Sequence, residues 1–331
     1  MRLEVFDLDP ATYRPHALHA ADRNWSETNC WFDMMIELLH VLGLDPLAGL
    51  PGVLSTDFEG EHWTLPKYPI EDLRALFGLE VAEMYIWRPV IDHLADHLAQ
   101  GHLLTVEVDA WYLPDTAGIT YGIDHGKTGV IMQMLDRENR RLGYFHNGGY
   151  FELGGDDFDG IFYLPGGRDM PEGRDPRILF PYVELVKLDR IRHDDDAVLL
   201  DAVRALTRHH LALRPATNPM VRFRTRLESD IAWLAPLGDA AFHPYAFATC
   251  RQAGANQEVA ASFVDWLDQR DGGGLQKAAD SFREIAATAK GLEYTLARAV
   301  RGRKVDVATP FGTMADAWDV AMDALVARYG S

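Results

Sequence analysis

The sequence predicts an α+β protein with helices and an antiparallel sheet over residues 1–190 and an all-α helical domain over residues 191–331. Three observations lead to this prediction. Runs of helical period come first, runs of strand character follow up to about residue 188, and only helical periods occur after about residue 195. The charged stretch "RHDDDA" (192–197) is the predicted boundary.

Three helices are predicted in the first part of the chain. The run "CWFDMMIELLHVLGLDP" is apolar on nearly every face and predicts a buried helix over 28–42, with Thr28 or Asn29 as its N-cap. Gly43 and Pro46 follow it, as is typical of a helix end. The runs "PIEDLRALFG" and "RPVIDHLADHLAQG" predict the other two helices.

The predicted sheet begins where the period changes. Strands are expected over 102–113, 127–136, 142–147 and 180–188, and the charged stretch "RENRR" joins the second and third as a hairpin. After the boundary, five long amphipathic runs predict the helical bundle. In one of them, Asn218 caps a helix that Pro219 opens.

Composition and charge exclude several functional classes. The net charge of −18 argues against nucleic acid and against an anionic membrane surface as partners. We find no apolar run long enough to span a membrane, and acidic residues interrupt the N-terminal apolar stretch, so a secretory signal is not expected. Two distant cysteines make no disulfide framework, and we therefore expect a reduced, cytoplasmic protein.

Cys30 is the candidate nucleophile. It follows small polar residues at a predicted helix start, where unpaired N–H groups favour a thiolate and could hold an oxyanion. Asn24 or Asn29 could add a side-chain donor to that oxyanion hole. The alternative is that Cys30 is a small buried apolar residue, as free cysteines commonly are.

His125 is the candidate base, because it lies just before a predicted strand. The predicted hairpin places residues 125–130 beside 145–150, so Asn147 could orient the imidazole. Asp124 and Asp136 are alternatives for the orienting role, and His146 competes with His125 as the base. His93 and His97 have the i, i+4 spacing of metal ligands but lack further ligands nearby, and no metal site is expected.

The run "VEVDAWYLPDT" interrupts an otherwise apolar strand with two acids on one face. They face either a polar site or solvent at an edge strand. The aromatic, proline-containing loop that follows is typical of a pocket lining. The predicted substrate-binding residues are drawn from this run and from "HNGGY": Asp109, Trp111, Tyr112, Asp115, His146 and Tyr150.

The motifs "ETNCWFD", "DFEGEHWTLPKYP", "VEVDAWYLPDT", "HGKTGV" and "GYFHNGGYFEL" together resemble an uncharacterised bacterial family along nearly the whole chain. Their order is also distantly similar to the family of the N-terminal domain of butirosin biosynthesis protein H. That resemblance implies a papain-like cysteine-protease-type fold and a transfer of an acyl group from a carrier-protein thioester to an amine. It implies Cys30 as nucleophile and His125 as base.

The orienting residue of that family lies near the end of the next strand, where Asn147 falls, although "HNGG" here replaces the family's Asp-Pro. The resemblance further implies an acyl or aminoacyl carrier protein and a small amine acceptor as partners. No bound cofactor is expected, and the donor is a phosphopantetheine thioester on the carrier. Arg222, Arg224 and Arg226 form a candidate docking face on a predicted helix, or simply a solvated one.

Three functions are therefore carried forward. The first is a cysteine-dependent acyltransferase that uses Cys30 and His125. The second is a cysteine peptidase or amidohydrolase with the same residues and water as acceptor. The third is a papain-like binding protein without catalysis, in which Cys30 is inert.

Overall fold

The computed structural model of the protein describes residues 2–167 and 181–330. These residues form two compact units that are not continuous in sequence. The sheet unit comprises Met1–Ala17, Cys30–Leu44 and Leu73–His193, and the helical unit comprises Leu18–Asn29, Asp45–Asp72 and Asp194–Ser331. Two N-terminal segments thus belong to the helical unit, a division that the periodicity of the sequence does not reveal.

The sheet unit contains one antiparallel sheet in which the described residues form seven strands. Its order is β2-β7-β3-β4-β5-β6, and β1 pairs with the end of β4. The strands are β1 (Arg2–Glu4), β2 (Glu80–Glu83), β3 (Leu103–Asp109), β4 (Lys127–Asp136), β5 (Arg141–His146), β6 (Gly149–Gly154) and β7 (Val183–Lys187). The mixed α+β class and the antiparallel sheet are as predicted. Strands β1, β2 and β6 were not predicted.

Among the described residues, four helices accompany the sheet: α1 (Cys30–Val41), α2 (Ile70–Phe77), which begins in the helical unit, α3 (Val90–Leu98) and α4 (Asp156–Ile161). Helix α1 packs against β4, β5 and β6, whereas α3 packs against β1, β3 and β4. Most of α1 is buried because its apolar residues surround the helix axis, as its sequence predicts. Residue 180, the start of the last predicted strand, lies outside the described residues.

The helical unit is built from α5 (Asp196–Ala212), α6 (Pro219–Leu234), α7 (Asp239–Ala246), α8 (Gln252–Arg270), α9 (Gln276–Val300) and α10 (Ala308–Tyr329). The side chain of Asn218 accepts from the Met220 N–H and caps α6, as predicted. A π-helical turn over Phe247–Arg251 separates α7 from α8 and lies within residues 245–267, a run of helical period in the sequence. Within the described parts of the chain, each helix is too short or too polar to cross a membrane.

The segment Leu18–Asn29 is held in the helical unit by Trp25. The indole is 5% exposed, and its N–H donates to the Ala286 carbonyl at 3.0 Å. Gly254 of α8 lies against the ring, so that a Cβ added at this glycine would overlap the indole. The glycine is therefore required for close packing.

We expect Gly254→Ala to lower the free energy of unfolding of the helical unit by about 2 kcal/mol, because the methyl group displaces the indole. Gly291→Ala in α9 is the matched control, since a Cβ there meets nothing within 4 Å. Alanine has the higher helix propensity, so this control should stabilise the unit by about 0.5 kcal/mol. Denaturant unfolding followed by circular dichroism measures both, and equal effects would contradict the packing interpretation.

Candidate active site

Cys30 is the first residue of α1 and is half-buried. The N–H groups of a first helical turn lack partners within the helix, and they carry the positive end of the helix dipole. Its thiol points toward Gly129 on β4. A Cβ placed on Gly129 would lie 3.6 Å from Cys30 Sγ and 3.7 Å from Met34 Cε. The missing side chain thus leaves space beside the thiol.

His125 is paired with Asp109. The Nδ1 atom lies 2.6 Å from Asp109 Oδ2, and the other carboxylate oxygen accepts from the Trp111 N–H at 3.0 Å. The Asp109 side chain is only 14% exposed, whereas that of His125 is 47% exposed. The carboxylate is thus held by the backbone and in turn holds Nδ1 of the imidazole.

Trp111 lies flat on the imidazole. The two ring centroids are 4.5 Å apart, and the planes differ by 11°. Trp111 belongs to the 3-10 turn Ala110–Tyr112 that directly follows β3. The stacked indole covers one face of the imidazole and restricts its rotation, so that the hydrogen bond to Asp109 and the ring contact together define one orientation of His125.

The pairing of β3 with β4 brings these groups to one face of the sheet. Gly129 is opposite Glu107, and Lys127 is opposite Asp109. Residues two apart in a strand share a face and lie about 7 Å apart along it. Asp109 with its bound His125 therefore occupies the next row on the same face as Gly129 and the Cys30 thiol. An ion pair from Lys127 Nζ to Glu107 Oε1, at 2.7 Å, crosses between these rows.

Asn147, the predicted orienting residue, lies in the two-residue turn between β5 and β6. Its φ of +46° is left-handed, a conformation that asparagine tolerates better than most residues. The side chain that the structure places on His125 is instead that of Asp109, which the sequence assigned to substrate binding. The alternative acid Asp136 accepts from the Asn139 backbone and side chain in the β4–β5 turn.

The two candidate oxyanion residues belong to the helical unit. Asn24 is exposed, and its backbone N–H donates to Glu258. Asn29 is buried, and its side-chain amide donates to the Pro66 carbonyl at 2.9 Å. Asn29 also directly precedes Cys30 in the chain. Among these groups, the backbone N–H of Cys30 is the donor whose position in the first turn of α1 suits an oxyanion.

His146, the competing base, lies in a buried polar network. Its Nδ1 is 2.6 Å from Asp115 Oδ2, its Nε2 is 2.9 Å from Thr128 Oγ1, and the Tyr144 hydroxyl donates to the other oxygen of Asp115. Burial, together with the charge of Asp115, raises the pKa of Tyr144. His146 and Asp115 are 3% and 6% exposed, so this network anchors the loop after β3 to β5 rather than facing solvent.

Tyr112 and Tyr150, also predicted to bind substrate, contact other residues of the sheet unit. Tyr112 is buried against Gly160 of α4, at a position where a Cβ would overlap the ring. The Tyr150 hydroxyl accepts from the Gln133 amide at 2.7 Å. A cavity of about 750 Å³ lies at the β6 edge and is lined in part by Asp115 and Phe151. Cys30 and His125 are not among its lining residues.

The three arginines of the predicted docking face are each paired with an acid on α6 or beside it. Arg222 binds Asp57, Arg224 binds Glu228 at 2.9 Å, and Arg226 contacts both oxygens of Asp230 at 2.9 Å. Pairing neutralises much of their field. Within the part of the chain that the structure describes, no group of three or more His, Cys, Asp or Glu side chains could hold a metal ion.

Two family models match the chain in succession. The DUF1839 N-terminal domain matches residues 14–188, and the DUF1839 C-terminal domain matches residues 196–327. The chain belongs to the DUF1839 family. The two DUF1839 domains meet between residues 188 and 196. A search of curated proteins found no match to this DUF1839 chain.

The structure gives two acids contacts that the sequence pattern does not predict. The sequence predicts a substrate-binding role for Asp109 on a strand face that meets a polar site or solvent, whereas in the structure its carboxylate binds His125. Glu184 of β7 was not singled out, yet it is 4% exposed and accepts from the indole of Trp31, the residue after Cys30. In the sequence, the signal that identifies Glu184 is a single acid inside the otherwise apolar run "YVELV".

Proposed function

We propose that the chain is a cysteine-dependent acyltransferase in which Cys30 is the nucleophile, His125 the base and Asp109 the orienting acid. One observation carries the proposal. The 2.6 Å pair of His125 and Asp109 lies on the same face of β3 and β4 as Gly129, beside which the Cys30 thiol lies. Nucleophile, base and orienting group are the three parts that such a site needs.

The fold of the sheet unit supports a papain-like assignment within this proposal. A helix that begins with the cysteine packs on an antiparallel sheet, and the histidine lies two residues before the first residue of β4 in that sheet. Asp109 replaces Asn147 as the proposed third member, because its carboxylate bonds Nδ1. The order of the site along the chain is therefore cysteine, acid and then histidine.

The donor in this proposal is a thioester. His125 takes the proton from Cys30, and the thiolate attacks the thioester carbonyl, whose oxyanion the Cys30 backbone N–H binds. The donor C–S bond breaks, and the leaving thiolate takes the proton from His125. Exchange of one thioester for another is close to isoenergetic, so positioning contributes more than added driving force.

An amine completes the reaction. Its nitrogen attacks the acyl–Cys30 carbonyl while His125 accepts the amine proton, and the Cys30 thiolate leaves and is reprotonated by His125. The product is an amide. The proposed donor is an acyl or aminoacyl carrier protein, and its docking does not rest on Arg222, because this side chain is bound to Asp57 and to the Phe58 carbonyl.

Hydrolysis is the second candidate, and the exposure of His125 favours it. With 47% of the imidazole side chain exposed, water can reach the base as readily as an amine can. A peptidase or amidohydrolase would use the same three residues and release a free acid. Transfer and hydrolysis therefore differ only in the acceptor.

Intact mass spectrometry tests the covalent step. After incubation with an acyl-loaded carrier protein, and separately with a small acyl thioester, we expect an acyl adduct on the wild-type chain and none on Cys30→Ala. Added amine should convert the adduct to amide in excess of free acid. Free acid alone would favour hydrolysis, and no adduct from either donor would contradict the proposal and favour a binding protein.

Substitutions of the two candidates for the third member separate their roles. Asp109→Asn should lower the rate of adduct formation by about 100-fold, because the amide no longer fixes the imidazole in its productive tautomer. Asn147→Gly suits the left-handed turn and should leave the rate within twofold of wild type. A larger loss in Asn147→Gly than in Asp109→Asn would contradict the assignment of Asp109.

A further inference from the structure

Glu184 is a buried carboxylate whose described partners are neutral. It lies on β7 and is 4% exposed. Its Oε2 atom accepts from Trp31 Nε1 at 2.8 Å and from Thr105 Oγ1 at 2.8 Å, and its Oε1 accepts from the Tyr182 hydroxyl at 3.0 Å. Among the described residues, no Lys, Arg or His forms an ion pair with it.

A carboxylate removed from water is costly unless hydrogen bonds replace its hydration. Hydrogen bonds to a charged acceptor are stronger than those between neutral groups, so three of them can offset that cost. The three donor groups keep their protons at neutral pH. Burial and the Glu184 carboxylate raise the pKa of Tyr182 to about 12, and the indole and the threonine hydroxyl do not titrate in the neutral range. The carboxylate is thus a fixed anchor.

The anchor connects the first turn of α1 to the sheet. Glu184 is opposite Thr105 on β3, and Thr105 is opposite Ile131 on β4. Ile131 shares a face with Gly129, two residues away, beside which the Cys30 thiol lies. Trp31 follows Cys30 in α1, so its bond to Glu184 holds this turn on that face.

We propose that Glu184 is a positioning residue that fixes Trp31 and, through it, the thiol of Cys30 above Gly129. This inference rests on the proposed function, since it assigns Glu184 to the same site. Glu184 acts as a hydrogen-bond acceptor of fixed position, and it takes no part in proton or acyl transfer. The acceptor geometry matters, and the negative charge strengthens the bond.

Two donors to the same oxygen provide a matched pair of variants. Trp31→Phe and Thr105→Val each remove one bond to Glu184 Oε2, but only Trp31→Phe releases α1. The readout is the rate at which iodoacetamide alkylates Cys30, located by peptide mass spectrometry. Cys250 is an internal control for unfolding that reaches the helical unit, because it is fully buried there and burial raises its pKa to about 12.

We expect Trp31→Phe to lower the alkylation rate at pH 6.5 about tenfold and Thr105→Val to lower it less than twofold. At pH 9.5, where an accessible thiol ionises without a base, both variants should approach the wild-type rate. Glu184→Gln keeps the acceptor and should retain at least half the wild-type alkylation rate at pH 6.5. Glu184→Ala removes the acceptor and should lower that rate as much as Trp31→Phe does.

Equal losses in Trp31→Phe and Thr105→Val, or equal losses in Glu184→Gln and Glu184→Ala, would overturn the positioning role. If Trp31→Phe exposes Cys250 to labelling and is therefore unfolded, the comparison of the two Glu184 variants decides alone. The measurement of these alkylation rates requires no acyl donor. Failure of the proposed function, in which no acyl adduct forms, is thus distinguishable from failure of this inference.

Discussion

The pairing of β3 with β4 is the constraint on which the candidate site depends. This register aligns Glu107 with Gly129 and Asp109 with Lys127. A shift by one residue would turn Asp109 to the opposite face of the sheet, away from α1, and would put a side chain where Gly129 now leaves space. The β3–β4 register therefore sets the position of Asp109, of the His125 that it binds, and of Gly129 beside the Cys30 thiol.

Several elements of the fold were predictable because they are long and periodic. Strand β4 has the predicted bounds, and α1 differs from its prediction by only one or two residues at each end. Short elements were not predictable. Strands β1 and β2 contain three and four residues, too few for alternation to be distinguished from chance. The two N-terminal segments of the helical unit depend on tertiary contacts such as that of Trp25 with Gly254.

In the candidate site, too, local sequence pattern predicts some features, whereas others depend on tertiary contacts. Local pattern placed Cys30 at a helix start, His125 before a strand, and Asp109 on the polar face of β3. Pattern did not show that the loop after β3 returns His125 to Asp109, because that closure depends on the stacking of Trp111 and on the buried contacts of Asp115. The predicted β4–β5 hairpin favours Asn147 as the orienting residue, but the structure places Asn147 in the turn between β5 and β6.

The central claim is that His125 activates Cys30, and the pH dependence of Cys30 alkylation in wild type and His125→Ala tests it most directly. If the imidazole holds the proton of the thiol, wild type reacts on the acid side of neutrality and His125→Ala loses that reactivity, while the two rates converge in alkaline solution. Superimposable profiles of the two proteins across the whole pH range would contradict the account.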